Sequence, residues 1–214
     1  MAAIHFDKLE EIKKDYEDGL SVREIAEKFD VSVKAAFCFF KRHNIPRRQA
    51  RESNQFLFAR KEPSFKLKEN LNSEEEKLKI AGLMLYWGEG AKSGSEVDFS
   101  NSDAEMIKIF LLFLRNVCGV KEQRLRVFLY CYANQDLKEL MYFWSGITGI
   151  SLDNFTKPYV RNDFKEEKIG KMKYGLIHIR YGDKKLLNYV LQEIDKYKEK
   201  LTWVGTKVVN WVAL

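Results

Sequence analysis

The residue with the clearest chemical role in this sequence is Glu89, near the end of the apolar run IAGLMLYWGEG. No other acid lies between Glu76 and Glu89. Ser73 and Glu76 have capping-box spacing, which predicts that a helix begins there and ends near Gly90. A carboxylate at a helix C-terminus lies beside unsatisfied carbonyls and the negative end of the helix dipole. Glu89 therefore needs a cation or a hydrogen-bond donor beside it.

The histidines and cysteines argue against other kinds of site. His43 and His178 are isolated in the sequence, so neither has an evident nucleophile as partner, and a Ser/His/Asp or Cys/His hydrolase is disfavoured. Cys38, Cys118 and Cys131 are far apart, without the ligand spacing of a zinc site. We expect three buried, reduced thiols.

Positive charge is concentrated in one part of the chain. Residues 1–33 contain five Lys/Arg and nine Asp/Glu, whereas residues 34–68 contain ten and two, within a total net charge of +6. This reversal predicts a local phosphate-binding surface, although a solvated basic turn is the alternative. The candidate DNA-contacting residues of this segment are Lys34, Lys41, Arg42, Arg47, Arg48 and Arg51.

Three short helices position these charges. The apolar spacing predicts helices over 6–18, from Ser21 and over Val33–His43, with a tight turn at residues 30–32. Such a unit is typical of helix-turn-helix DNA-binding domains. The segments GLSVREIAEKFDVS and FKRHNIPRR resemble the small trihelical domains of resolvases and transposase-type proteins over about residues 8–50.

The third helix has more apolar residues than a recognition helix usually shows. Ala36 and Phe40 fit the core, which leaves Lys34, Ala35, Phe37, Cys38 and Lys41 on the outer face. Lys34 would then reach a guanine edge or a phosphate. Burial of Phe37 and Phe39 against the next domain is an equal alternative.

The rest of the chain predicts an α+β domain. Residues 52–72 show no period and are interpreted as a linker. Beyond the Glu89 helix, the pattern predicts a hairpin with its second strand at 96–100 and further strands at 124–132 and 173–181. The predicted helices that accompany these strands span 102–117, 135–148 and 183–200.

The segment that begins at Ile80 resembles the LAGLIDADG homing-endonuclease family. Residues 85–90, LYWGEG, are similar to the end of the signature helix, and residues 97–103, VDFSNSD, are similar to the strand and helix start that follow it. The resemblance covers about residues 76–160. It implies an α/β domain with an antiparallel DNA-binding sheet, and one motif copy implies a homodimer.

The resemblance also implies roles for individual residues. Glu89 and the Gly88 carbonyl match the Mg²⁺ (or Mn²⁺) ligands, whereas Asp103 and Lys157 match catalytic positions. Met84 replaces a small residue at the helix crossing. The implied dimer interface consists of Leu83, Met84 and Trp87.

Each of these residues also has a structural interpretation. Glu89 would form an ion pair with Lys92 or Arg180, Asp103 would cap its helix, and Lys157 would be plain surface. On the outward face of the strands, the candidate DNA contacts are Lys92, Arg124, Arg126 and Arg180. The alternative is that these residues only form a solvent-exposed face of the sheet.

The sequence therefore predicts a helix-turn-helix domain over 1–51, a linker over 52–72 and a LAGLIDADG-like domain over 73–214. We expect a cytoplasmic, sequence-specific double-stranded DNA-binding protein of a mobile genetic element. Its predicted activity is Mg²⁺-dependent endonuclease cleavage as a homodimer, and a non-catalytic transcriptional regulator is the alternative. Neither a membrane nor a small-molecule substrate is expected as a partner.

Overall fold

The computed structural model describes residues 4–162 and 172–209, with side chains described as far as residue 201. The chain divides into two compact units, Met1–Glu62 and Pro63–Leu214, which we call unit 1 and unit 2. The mixed α+β character predicted from the sequence is confirmed.

Unit 1 is helical, and the three predicted helices are confirmed. The Ser21 side chain accepts from the Glu24 backbone N–H (3.2 Å), and the Ser32 side chain accepts from the Ala35 backbone N–H (3.1 Å), so each serine caps a helix. The helices of unit 1 are α1 (Leu9–Glu17), α2 (Val22–Lys28), α3 (Val33–Arg42) and α4 (Ala50–Arg60).

Helix α4 shows that the predicted linker over 52–72 is wrong. Arg60, at the end of α4, pairs with Glu24 (2.7 Å) and donates to the Gly19 carbonyl (3.2 Å). Gly19 has a φ of +102°, and a Cβ there would lie 2.4 Å from the Phe56 ring. Contacts with residues far away in sequence therefore hold this polar, weakly periodic segment as a helix of unit 1.

The remainder of the predicted linker belongs to unit 2. Ser64 donates to Asp183 Oδ2 from both its backbone N–H and its hydroxyl (2.7 Å each), and the Tyr181 hydroxyl donates to the Ser64 carbonyl (2.6 Å). Phe65 forms an antiparallel bridge with Val120. The segment after Pro63 is thus tied to the end of the sheet.

Unit 2 combines helices with one sheet, and its predicted helices and strands are confirmed within a few residues. The helix that carries Glu89 begins one residue earlier than expected, because Asn72 and Glu75 form the capping box instead of Ser73 and Glu76. The α-helices and strands of unit 2 are α5 (Ser73–Glu89), β1 (Val97–Asn101), α6 (Ala104–Leu112), β2 (Leu125–Tyr132), α7 (Leu137–Thr148), β3 (Tyr159–Arg161), β4 (Leu176–Tyr181) and α8 (Lys184–Val209).

The sheet has the strand order β1-β4-β2-β3. The pairs β1–β4 and β4–β2 are antiparallel, as expected, whereas β2 and β3 run parallel. The prediction of a wholly antiparallel sheet is therefore wrong at its β3 edge. A parallel pair needs a long connection, which α7 supplies.

Buried and accessible residues alternate throughout β2 and β4 and over residues 97–100 of β1, whereas β3 has no buried residue. The buried set joins side chains from the helices of unit 2 in one core, and Gly82 of α5 lies so close to the Phe113 ring that a Cβ would be 2.2 Å from it. The buried strand residues are Val97, Phe99, Leu125, Val127, Leu129, Cys131, Ile177, Ile179 and Tyr181.

The cysteines follow the expected burial in two cases of three. Cys118 and Cys131 are buried, and burial raises the pKa of both thiols. Cys38 is exposed, because its position on α3 lies opposite the buried Ala36, Phe39 and Phe40. Among the residues that the structure describes, no helix has both the length and the apolar character needed to cross a membrane.

Arg48 has a structural role in unit 1 instead of the predicted DNA contact. Its guanidinium donates to the Tyr16 and Leu20 carbonyls (2.6 and 2.5 Å) and lies 3.9 Å from the Tyr16 ring centre and 4.5 Å from that of Phe56. Its backbone N–H donates to the Tyr16 hydroxyl (2.7 Å). Arg48 therefore joins α1, the turn after it and α4.

We predict that Arg48→Ala lowers the free energy of unfolding of unit 1 by about 2 kcal/mol, because hydrogen bonds from a charged donor are lost. Hydrogen exchange of the α1 and α2 amides measures this loss. All four tryptophans lie in unit 2, so tryptophan fluorescence should show an unchanged unfolding midpoint for that unit. Arg47→Ala is the control, and equal exchange in both variants would contradict the role of Arg48.

Candidate nucleic-acid interface

Helix α3 presents an outer face that mixes basic and apolar residues. Ala36, Phe39 and Phe40 are buried in the core of unit 1, whereas Lys34 and Lys41 are exposed. The burial of Phe39 inside its own unit corrects the alternative that it packs on the next domain. Two lysines one to two turns apart on an exposed face form a surface suited to phosphate.

The basic segment after α3 separates into structural and exposed residues. Arg47 is exposed, and its guanidinium lies 4.7 Å from the centre of the half-buried Phe37 ring. This cation–π contact orients Arg47 and covers Phe37. Arg42 and Arg51 are also exposed, so they remain candidate phosphate contacts beside Arg47.

Unit 2 has a second candidate surface, the open face of its sheet. We use this term for the accessible strand residues that alternate with the buried set. They comprise Asp98, Ser100, Arg126, Phe128, Tyr130, Tyr132, Tyr159, Arg161, Leu176, His178 and Arg180.

One end of the open face is charged. Arg180 lies directly opposite Asp98 on one side and Arg126 on the other. The Arg180 Nε atom donates to Asp98 Oδ2 (2.9 Å), and its guanidinium lies 4.8 Å from the centre of the Phe128 ring. We call Asp98, Arg180 and Arg126 the charged row, which carries one more cation than anion.

The sequence suggested that His178 is isolated, but the structure gives it a partner. Its Nδ1 atom lies 2.8 Å from Asp98 Oδ1, and its ring meets Phe128 edge to face. Burial raises the pKa of Asp98, but the His178 hydrogen bond and the charges of His178 and Arg180 outweigh it, so that pKa lies below its usual value. Asp98 thus fixes two basic side chains in place on the open face.

The other end of the open face is aromatic. Tyr130 and Tyr159 lie opposite each other on β2 and β3, with ring centres 5.3 Å apart and planes at 19°. Arg161 donates from Nη1 to the Tyr130 hydroxyl (3.3 Å). Sequence reasoning missed this pair, because it depends on the unexpected parallel strand β3.

The three other sheet candidates differ in their surroundings. Arg124 donates from Nη2 to the Gly182 carbonyl (2.6 Å) and lies beside the Tyr181 ring at the end of the sheet. Arg126 donates from Nη1 to the Gln123 and Leu125 carbonyls but remains exposed. Lys92 is exposed in the loop before β1.

Glu89 is the last residue of α5, as predicted. The turn after it is fixed because Gly90 bridges Phe99 of β1, and the buried Tyr86 hydroxyl donates to the Ala91 carbonyl (2.5 Å). Burial raises the pKa of that hydroxyl to about 12. The exposed Glu89 carboxylate has no ion pair within the described part of the chain, so the expected pairs with Lys92 or Arg180 do not form.

The structure places the remaining predicted active-site residues in a helix cap and in a loop. Asp103 caps α6, since its Oδ1 atom accepts from the Glu105 and Met106 backbone N–H groups (2.8 and 3.3 Å). Lys157 is exposed, in the loop before β3. In residues 4–162 and 172–209, no three or more His, Cys, Asp and Glu side chains form a group able to hold a metal ion.

The predicted dimer residues lie on different faces of α5. Leu83 is fully buried in the core of unit 2, so its assignment to an interface is wrong. Met84 is half-buried, whereas Trp87 and Ile80 are each 41% exposed. Spacing of i, i+4 and i+7 places these three on one side of α5, which we call the α5 stripe.

Comparison with family models, with curated proteins and with solved structures gives no match for this chain.

The lowered pKa of Asp98 predicts a pH-dependent effect of Asp98→Asn. The carboxylate stabilises the folded state at pH 7, and this contribution is lost as pH falls from about 4, the ordinary aspartate pKa, through the lower folded-state value. Urea unfolding followed by tryptophan fluorescence should show wild type more stable at pH 7 and a shrinking difference below pH 4. A difference that is constant with pH would contradict the ion-pair role of Asp98.

Proposed function

We propose that this protein is a sequence-specific double-stranded DNA-binding protein. Its two DNA-contacting surfaces are the outer face of α3 with the exposed arginines after it, and the open face of the sheet in unit 2. The charged row is the observation that carries the proposal, because it places two arginines side by side on the open face with a single carboxylate in the same row.

The register of the charged row supports an anionic ligand. Like charges directly opposite each other on neighbouring strands destabilise a sheet, yet Arg126 and Arg180 are such a pair. Asp98 is bonded to Arg180 and to His178, so of the two arginines it neutralises only Arg180. A phosphate or a guanine edge placed above Arg126 would relieve this repulsion, since arginine binds both through paired N–H groups.

The composition of unit 1 supports the same ligand. The helices α1 and α2 carry most of the acids of residues 1–33, whereas α3 and the segment after it supply exposed Lys34, Lys41, Arg42, Arg47 and Arg51. Helix-turn-helix units place their third helix in the major groove with nearby residues on the backbone. The charge reversal along unit 1 matches that division of roles.

The experiment that tests this proposal measures salt dependence. The double variant Lys34→Ala/Lys41→Ala should reduce the slope of log K against log salt by about two, because two phosphate contacts are lost. A duplex selected from a random library by the wild-type protein is the ligand, and fluorescence anisotropy is the measurement.

The matched control is Lys13→Ala/Lys14→Ala, which removes the same charge from α1. It should leave the slope unchanged. An equal decrease in both double variants would show that only net charge matters, and an unchanged slope in Lys34→Ala/Lys41→Ala would remove α3 from the interface.

Cleavage of DNA by a homodimer is a second candidate function. The observation that favours it is the exposed Glu89 carboxylate at the end of α5, which has no ion pair within the described part of the chain. Two copies that met at the ends of α5 would bring two Glu89 carboxylates together, and such a pair needs a cation. A single carboxylate from one chain does not fit the oxygen-rich shell of Mg²⁺.

Glu89→Gln separates this candidate from a non-catalytic regulator. If the protein is an endonuclease, wild type with Mg²⁺ or Mn²⁺ should cut a plasmid that carries the selected duplex, and Glu89→Gln should lose cutting by at least about a hundredfold while binding stays equal. Glu96→Gln is the control for charge. Persistent cutting by Glu89→Gln would contradict the role of Glu89, and binding without any cutting by wild type would leave the regulator.

A further inference from the structure

We infer that the aromatic end of the open face stacks an unpaired nucleobase, so that unit 2 prefers a nucleic acid in which at least one base is out of the duplex. The platform consists of Tyr130 and Tyr159, and this inference depends on the proposal that the open face binds nucleic acid. Inside a duplex each base is paired and stacked between its neighbours, whereas an unpaired base offers its faces to an aromatic ring.

The exposure of Tyr159 is the first observation. Its side chain is 53% exposed on β3, the edge strand of the sheet. In the described part of the chain its one ring contact is with Tyr130. The two rings are nearly parallel, so the far face of Tyr159 is available to continue the stack with one more planar ring.

The fixed position of the platform is the second observation. Tyr130 is half-buried, its hydroxyl accepts from Arg161, and its ring meets the Tyr132 ring at a centre distance of 6.1 Å and an angle of 78°. These contacts hold the Tyr130 ring and, through it, that of Tyr159. A platform held in place before binding loses little side-chain entropy when a base stacks on it.

Charge complementarity is the third observation. Arg126 precedes Tyr130 by four residues on β2, which is about 13 Å along the strand. Both side chains lie on the open face. A nucleic-acid strand that passes over the sheet therefore meets arginines for its phosphates and tyrosines for a base. This combination is the one that single-stranded nucleic-acid sites use.

The measurement uses the full chain and oligonucleotides of one sequence that contain 2-aminopurine, whose fluorescence falls when it stacks. The probe is placed in a fully paired DNA duplex, in a duplex with a one-base bulge, in single-stranded DNA and in single-stranded RNA. We expect wild type to bind the bulged duplex or a single-stranded form more tightly than the paired duplex and to quench the probe there. The DNA and RNA arms identify which source of unpaired base is preferred.

Variants of Tyr159 then test the platform. Tyr159→Ala should weaken binding of the preferred unpaired form by about tenfold and abolish quenching, because one base–aromatic stack is lost. Tyr159→Phe should retain both, since it keeps the ring. Tyr142→Ala, which removes a tyrosine that is 56% exposed on α7, should have no effect. Circular dichroism of each variant verifies folding.

The outcomes distinguish this inference from the proposed function. Wild-type binding to paired duplex with no preference for unpaired bases, or equal quenching by wild type and Tyr159→Ala, would overturn the stacking platform and leave the duplex-binding proposal intact. Absence of binding to every oligonucleotide would overturn both.

Discussion

The period of two in the central strands is the constraint on which the rest of unit 2 depends. Helices cover one face of the sheet, so every second residue of β1, β2 and β4 is apolar and buried. The intervening residues must then lie on the other face, where no described helix packs its core side chains. The buried face of the sheet and the helices that cover it therefore fix the spacing of the charged row and the two tyrosines. The side chains of these residues are not part of that core.

Basic residues in this protein separate into those that hold the fold and those that remain exposed. Arg48 and Arg60 connect parts of unit 1 through carbonyls and Glu24, and Arg180 is bound to Asp98 on the sheet. Lys34, Arg47 and Arg126 stay exposed. A count of positive charge treats these groups alike, although their contacts within the fold differ.

Local patterns in the sequence were sufficient for most elements. Serine caps and apolar spacing identified three of the four α-helices of unit 1, and alternation identified the main strands and the outward direction of Arg126 and Arg180. Contacts between distant residues were not predictable. Helix α4 depends on Arg60 meeting Glu24, and the Asp98–His178 pair joins residues eighty positions apart. The short strand β3 has too few residues to show a period, so the tyrosine stack that it completes was missed.

The central claim is that α3 and the open face of the sheet both contact DNA. The most direct measurement is side-chain labelling by mass spectrometry, with acetylation of lysines and phenylglyoxal modification of arginines, with and without a selected duplex. We predict protection of Lys34, Lys41 and Arg126 in the complex and unchanged labelling of Lys14. Equal labelling of Arg126 with and without DNA would contradict the account of the sheet, and equal labelling of Lys34 and Lys41 would contradict that of α3.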